Sequence, residues 1–182
     1  MNYLKVIGLI LAISGCSTNN LNYSTEKQAR DSVFIPFEQG AITLNIQTDT
    51  NLNSLDGIAN SCTLLMIQTK TNAEAKKLLS DPAVLREMFN GDVNKENILK
   101  VDQYSTMPGQ NITLHIDRSE NAHYLTVVAG YYPFPTLKNM KISDIPIKAN
   151  NSSWFGNNWF AKPMELVLNI RLGSESITEF EK

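Results

Sequence analysis

The chain is 182 residues long, with 16 Lys and Arg against 18 Asp and Glu, two His, two Cys and a formal net charge of -2. That size suits one domain whose core folds without metal or disulfide staples. With no Lys/Arg cluster along the sequence, nucleic acid is excluded as a partner and anionic headgroups are a poor match, since both call for a basic footprint.

The N-terminus carries Lys5 as its only charge and an apolar run at residues 6–13, far too short to cross a bilayer as a stable helix. Residues 1–15 therefore read as a cleaved signal peptide. The run closes on Ile13-Ser14-Gly15-Cys16, which resembles the bacterial lipoprotein signal: an aliphatic residue, two small ones, then Cys. The resemblance implies a diacylglycerol thioether on Cys16, cleavage before it and a third acyl chain, typically palmitate, on the freed amine. Ser17 stands where an Asp would signal inner-membrane retention, so the expected destination is the outer membrane. Each buried methylene adds roughly 0.8 kcal/mol, so two or three chains hold permanently where one binds marginally. The alternative is an ordinary secretory peptide that leaves a soluble periplasmic protein. With Cys16 acylated, Cys62 has no intramolecular partner, and its neighbours Leu64, Leu65, Met66 and Ile67 mark it as a small buried hydrophobe.

Residues 16–30 are polar and aperiodic, the composition of a flexible lipid-anchored tether, ahead of one domain at 31–182. The first strand signal is strict alternation, Ile42, Leu44 and Ile46 against Thr43, Asn45 and Gln47, the period of a half-buried strand. A connection at 49–60 follows, longer than the two to five residues a hairpin needs. It carries Leu52, Leu55 and Ile58 amid Asn, Ser and Asp, and apolar residues on such a loop cost solvation unless they fold back or enter a partner. The run 62–67 is apolar on both faces and reads as a central strand. A helical insertion at about 72–90 is well punctuated. Thr71 and Glu74 stand at capping-box spacing before Ala75, Leu78 and Leu79, and Asp81-Pro82 opens a second helix presenting Leu85, Met88 and Phe89 before Asn90-Gly91.

A weaker strand signal lies at 98–104. Alternation returns at Ile112, Leu114 and Ile116, and again from Met164 to Leu172, with a second doubly apolar run at 124–132. Strands of this kind, separated by turn signals such as Asp56-Gly57 and Pro108-Gly109, indicate a mainly β, mostly antiparallel sandwich. The segment Trp154-Phe155-Gly156-Asn157-Asn158-Trp159-Phe160 sets two aromatic pairs around a turn. Core packing is the usual fate of such residues, with an aromatic ligand platform as the alternative.

Signs of catalysis are sparse. No Cys-x-x-Cys, His-Glu-x-x-His, Gly-x-Ser-x-Gly, phosphate loop or calcium loop is present. His115 and His123 fall on neighbouring strands, so a hairpin would bring them together as a weak metal pair or, with Asp117, as a hydrolytic cluster; solvent-facing histidines are the plainer reading. The expectation is a non-enzyme with no catalytic residue, no metal and no cofactor beyond the lipid.

The order of features, a lipobox, a polar tether, a strand, a loop reading Leu52-Asn53 followed by Gly57, a strand, helices, Pro108-Gly109 and Tyr124-Leu125-Thr126-Val127-Val128-Ala129, is similar to the outer-membrane lipoprotein of the type VI secretion membrane complex, the TssJ or SciN family. The similarity spans residues 41–135. It implies a transthyretin-like antiparallel β-sandwich with a small helical addition. It also implies that the loop holding Leu52, Asn53, Leu55, Asp56, Gly57 and Ile58 contacts the periplasmic domain of the large inner-membrane subunit, TssM. The chain departs from many members at Ser61-Cys62-Thr63, where they open the second strand with Pro-Val and a basic residue. The expected function is a tether between that subunit and the outer membrane. A periplasmic ligand-binding lipoprotein using the aromatic segment, or a hydrolase with an unrecognised site, are the alternatives.

Overall fold

The computed structural model describes residues 22–92, 96–133, 136–154 and 158–182. The signal segment, the lipobox with Cys16, and Phe155, Gly156 and Asn157 of the aromatic run lie outside the described residues.

The alternation around Ile42 is realised as β1, Glu38–Thr48. It is central in a sheet of order β10-β9-β1-β4, with β4 at Asn111–Arg118, β9 at Leu166–Leu172 and β10 at Ile177–Glu181. β1 runs antiparallel to β4 but parallel to β9, with Ile42 opposite both Ile116 and Leu166. Ile42, Leu44, Ile46, Leu166, Leu168 and Ile170 all point into the core, each burial contributing about 1.5–3 kcal/mol. The other face is polar and cross-linked: the Asn45 amide donates to Asn169 Oδ1 at 3.1 Å and accepts from Thr113 Oγ1 at 3.0 Å.

The facing sheet has the order β3-β2-β5-β6 and is antiparallel throughout: β2 Cys62–Thr69, β3 Ile98–Thr106, β5 Tyr124–Ala129 and β6 Met140–Asp144. β2 and β5 read as apolar on both faces because both faces are covered. Cys62, Leu64, Met66, Leu125, Val127 and Ala129 meet the first sheet, while Leu65, Ile67 and Val128 meet Leu78, Leu85 and Met88 of two helices. Those helices are α2, Asn72–Leu79, and α3, Pro82–Phe89; a shorter α1, Glu26–Asp31, precedes them in the chain. The Thr71/Glu74 capping box forms in both directions, and the Asp81 carboxylate accepts from the Ala83 and Val84 amides at 3.1 and 3.2 Å. Eight-residue helices do not persist alone in water, so the cover over Leu65 and Ile67 is what holds them.

Two expectations are corrected by the fold. The tether expected through Arg30 ends sooner, because Thr25 caps α1, Glu26–Asp31. Ala29 is fully buried, and α1 lies on a two-stranded ribbon of β7, Ile147–Asn151, and β8, Trp159–Pro163. The Tyr23 amide donates to Trp159 O at 2.7 Å and the Trp159 amide to Tyr23 O at 2.8 Å, while the Arg30 guanidinium donates to Ile147 O. One buried alanine gives a helix no readable periodicity. The second correction concerns the histidines: β4 and β5 belong to different sheets, so the hairpin that would pair His115 with His123 does not exist.

Candidate functional site

The connection from β1 to β2 is a folded structure of its own. Asp49 anchors its start, its amide donating to Leu172 O at 2.9 Å, its carbonyl accepting from the Gly109 amide at 3.1 Å and its carboxylate from Arg171 Nε at 3.1 Å. Leu52 then turns inward and is fully buried in the core between the sheets. Asn53 is buried as well, at φ 45°, a left-handed conformation that Asn tolerates through local hydrogen bonding. Its side chain works in both directions: Nδ2 donates to Ser61 O at 2.8 Å and Oδ1 accepts from the Tyr132 amide at 2.9 Å. The Ser54 amide donates to Ser174 O at 3.0 Å, and Asn60 closes the base, its amide donating to Leu52 O at 2.9 Å and its Nδ2 to Ile58 O at 2.9 Å.

Above that base stands a two-residue hairpin. The amides and carbonyls of Leu55 and Ile58 exchange hydrogen bonds at 2.9 Å in both directions, and Asp56 and Gly57 between them have φ 51° and 77°. Positive φ at both central residues is the type I′ turn, which Asp-Gly favours. Leu55 and Ile58 are 42% and 68% exposed, and as directly opposed residues they share one face of the hairpin.

Of the loop residues expected to meet a partner, the structure therefore exposes Leu55, Asp56, Gly57 and Ile58. Leu52 and Asn53 are buried and hold the loop from within.

Sequence reasoning missed a groove beside this loop. Tyr131 is buried, its hydroxyl 2.8 Å from Ser176 O and 3.1 Å from Gly173 O. Burial, then the nearby Cys62 and Asp49, push its pKa up. Its neighbour Tyr132 is 65% exposed and, with Asn53, Arg86 and Phe89, lines a groove of about 530 Å³. Only the aromatic doublet after a central strand hinted at it. Gly130 is required here because a Cβ would lie 2.9 Å from the Phe89 ring.

The remaining candidates are dispersed. Burial pushes the Cys62 thiol up to about 12, which makes it an inert core residue. His115 meets Thr43 Oγ1 at 3.2 Å on the outer face of the first sheet. The Asp117 carboxylate accepts from the Gly40 amide at 2.9 Å. His123 lies beyond the opposite sheet's β2, its amide donating to Thr69 O at 3.1 Å, and burial, then Lys70, hold its pKa below the usual imidazole value. Among the described residues no group of three or more His, Cys, Asp or Glu is placed to hold a metal ion. Of the aromatic run, Trp154 is 96% exposed, against the core fate expected for it, and Trp159 is half-buried in the ribbon.

A family model described as "Type VI secretion lipoprotein, VasD, EvfM, TssJ" matches residues 40–173. No curated protein matches the chain. Among solved structures, the type VI secretion lipoprotein TssJ1 from Pseudomonas aeruginosa is 17% identical with a TM-score of 0.56, over 81% of this chain and 97% of that one. Lip from Serratia marcescens, a membrane-bound component of the type VI secretion system, is 20% identical with a TM-score of 0.56, over 78% and 97%. A structure described as the C-terminal domain of the type VI secretion protein TssM from EAEC contains a chain 15% identical with a TM-score of 0.53, over 76% and 95%. These likenesses are of fold.

Proposed function

Since this chain belongs to the type VI secretion lipoprotein family, we propose that it is the outer-membrane-anchored tether of a type VI secretion membrane complex, a non-enzymatic adaptor that joins the periplasmic domain of the large inner-membrane subunit, TssM, to the outer membrane. Acyl chains on Cys16 hold the protein at the periplasmic face of the outer membrane, and Ser17 in place of Asp favours that membrane over the inner one. The β1–β2 hairpin grips the partner through Leu55, Asp56, Gly57 and Ile58, with Leu52 and Asn53 as its foundation.

The observation that carries this reading is an exposed apolar pair held on a hairpin whose base is fixed by buried side chains. A preformed hairpin loses little freedom on docking. Completing the burial of Leu55 and Ile58 would contribute roughly 3 kcal/mol, about two orders of magnitude in affinity. Tethering both partners to opposed membranes raises their local concentration, so a small contact suffices.

The geometry suits a strut. β1, 11 residues long, spans about 36 Å. The ribbon that receives the N-terminal segment joins the sandwich at the end where β1 and β9 begin, and the hairpin follows the end where β1 finishes. A pull between the two attachments loads β1 in shear against hydrogen-bonded neighbours on both sides.

The test is co-purification of the acylated chain with the periplasmic domain of TssM. Leu55→Asp with Ile58→Asp should abolish it while leaving the circular dichroism spectrum unchanged, and Cys16→Ser should release the chain from the membrane fraction. Retained binding in the double variant would move the contact to another face.

A further inference from the structure

We propose that the groove beside the β1–β2 hairpin is a second docking site for the same partner domain. It receives an acidic segment that seats an apolar or aromatic side chain against Phe89 and Tyr132 and a carboxylate on Arg86. The proposal rests on the reading of the hairpin as the partner contact and extends it to a surface of different chemistry.

The groove opens where α3 stops covering the second sheet. Leu64 and Ala129 face the core between the sheets, so their chain neighbours Thr63 and Gly130 turn to the opposite face, the one the helices cover. The two are joined there, the Gly130 amide donating to Thr63 O at 2.7 Å. Gln103 shares that face, being opposite Leu65, which packs on the helices. These residues line the groove together with Arg86 and Phe89 from the last turn of α3. The absent Cβ of Gly130 is what lets the Phe89 ring come down to the sheet. On the other side the hydroxyl of Tyr131 is held inside by Gly173 O and Ser176 O, while the next residue, Tyr132, is turned out and 65% exposed.

One side chain ties this groove to the hairpin. Asn53, two residues before Leu55, lines the groove and accepts from the Tyr132 amide at 2.9 Å. Asn60, on the returning leg of the loop, donates through Nδ2 to Asn53 O at 3.2 Å. Tyr132 and the Leu55–Ile58 pair are thus carried on a single buried anchor, and a partner meets both without ordering the backbone between them.

The lining selects the occupant. Phe89 and Tyr132 supply apolar area, Thr63 and Gln103 supply hydrogen-bonding groups, and Arg86 is the one charged side chain among the described residues that line the groove. With a cation and no carboxylate there, electrostatic complementarity favours an acidic segment. A guanidinium has five N–H donors, so Arg86 can bond an incoming carboxylate alongside its contacts within the fold, and the pairing is directional. A volume of about 530 Å³ is in the range of sites that enclose a small organic molecule, ample for a side chain and its flanking main chain. Tyr and Arg are also the residue types on which interface energy concentrates, and the aliphatic hairpin pair supplies neither.

The test places the photo-cross-linker p-benzoylphenylalanine in the full mature chain at Tyr132 or, separately, at Ile58. Each chain is irradiated with the purified TssM periplasmic domain, and the linked peptides are sequenced by mass spectrometry. Different partner peptides from the two positions are expected, the one from position 132 holding an apolar or aromatic residue close to an Asp or Glu. In parallel titrations Arg86→Glu should weaken binding about tenfold or more, with Arg86→Lys keeping most of the affinity. The loss should shrink as salt is raised, a dependence that a merely structural defect lacks. Should Arg86→Glu fail to fold, Gln103→Trp fills the groove from an exposed strand position that suits an aromatic residue and should weaken binding by a similar factor. Cross-linking from position 58 alone, with wild-type affinity in Gln103→Trp, overturns the groove and leaves the hairpin standing. A link from position 132 to a basic partner peptide, or to a second copy of this chain, overturns the stated occupant. Binding that survives Leu55→Asp with Ile58→Asp and gives no cross-link from either position overturns the hairpin reading and this proposal together.

Discussion

Leu52 and Ile58 lie six residues apart on one loop and should fail in opposite ways. Leu52 is fully buried between the sheets, so Leu52→Ala removes three carbons' worth of transfer energy, about 2.4 kcal/mol. The cavity left behind adds to this and brings the loss to about 3–4 kcal/mol. For a domain of this size that lowers the melting temperature by roughly 10 °C. Ile58 is 68% exposed, so Ile58→Asp should change stability by no more than about 0.5 kcal/mol. Its effect belongs to the partner: an apolar contact is lost and a carboxylate is desolvated, which together should weaken binding at least about 30-fold. Urea unfolding of each purified variant, followed by titration against the TssM periplasmic domain at a temperature where both are folded, separates the two effects. If Leu52→Ala unfolds within 1 kcal/mol of the wild type, the loop is not built into the core as described. If Ile58→Asp binds normally, the hairpin is not the hook.

Further outcomes follow from the same geometry. Asn53→Ala strands the Ser61 carbonyl and the Tyr132 amide and should cost about 2–3 kcal/mol in a denaturant titration, with Asn53→Asp intermediate because it keeps the acceptor for Tyr132. Gly57→Ala meets no atom within 4 Å of the added Cβ, so only its φ of 77° opposes it; about 1 kcal/mol of turn strain falls on the folded chain and should lower the melting temperature by about 2–4 °C while partner binding stays nearly unchanged. Arg118 is fully buried, its guanidinium held by Glu38 and by Met164 O at 3.1 Å, with Nε unpartnered. Glu38→Ala leaves a buried charge and should cost about 2–3 kcal/mol, whereas Arg118→Met, which removes the charge itself, should stay within about 1 kcal/mol of the wild type by thermal melting. His123 titrates below its ordinary value when folded, so as pH falls through about 6.5 the unfolded chain takes up the proton first. Stability should decline across that window, level off once the folded imidazole is also protonated, and lose the slope in His123→Gln.

Strands that bury one face and wet the other were legible in the sequence, because a period of two survives in β1, β4 and β9 whatever their neighbours are. Pairing was not. Periodicity reports a face, and β1 lies beside β9 more than a hundred residues away, in parallel, a relation no local pattern encodes. The same limit undid the histidine pair, since the chain changes sheets between Arg118 and Tyr124 and closeness in sequence became distance in space. β7 reads Ile-Lys-Ala-Asn-Asn, with no apolar alternation to find, because it pairs only within a ribbon and buries little. α1 was invisible for a related reason: its one fully buried side chain is an alanine.

The β1–β2 connection was legible in its turn and illegible in its depth. Asp56-Gly57 announces a tight turn from sequence alone, and once that turn is type I′ the residues on either side must oppose each other. Leu55 and Ile58 are therefore a cross-strand pair projecting together, and their joint exposure is a consequence of the turn. Leu52 lies three residues earlier, before the left-handed Asn53 at φ 45°. That reversal lets one apolar side chain enter the core while the next two leave it. Composition counts three equivalent leucines and isoleucines in a polar loop. The backbone sign at Asn53 divides them, and that sign follows from hydrogen bonds to Ser61 and Tyr132, whose proximity only the folded sandwich creates. A foundation of this kind suits the proposed contact: a pull on the exposed pair would pass directly into the buried Leu52 and Asn53.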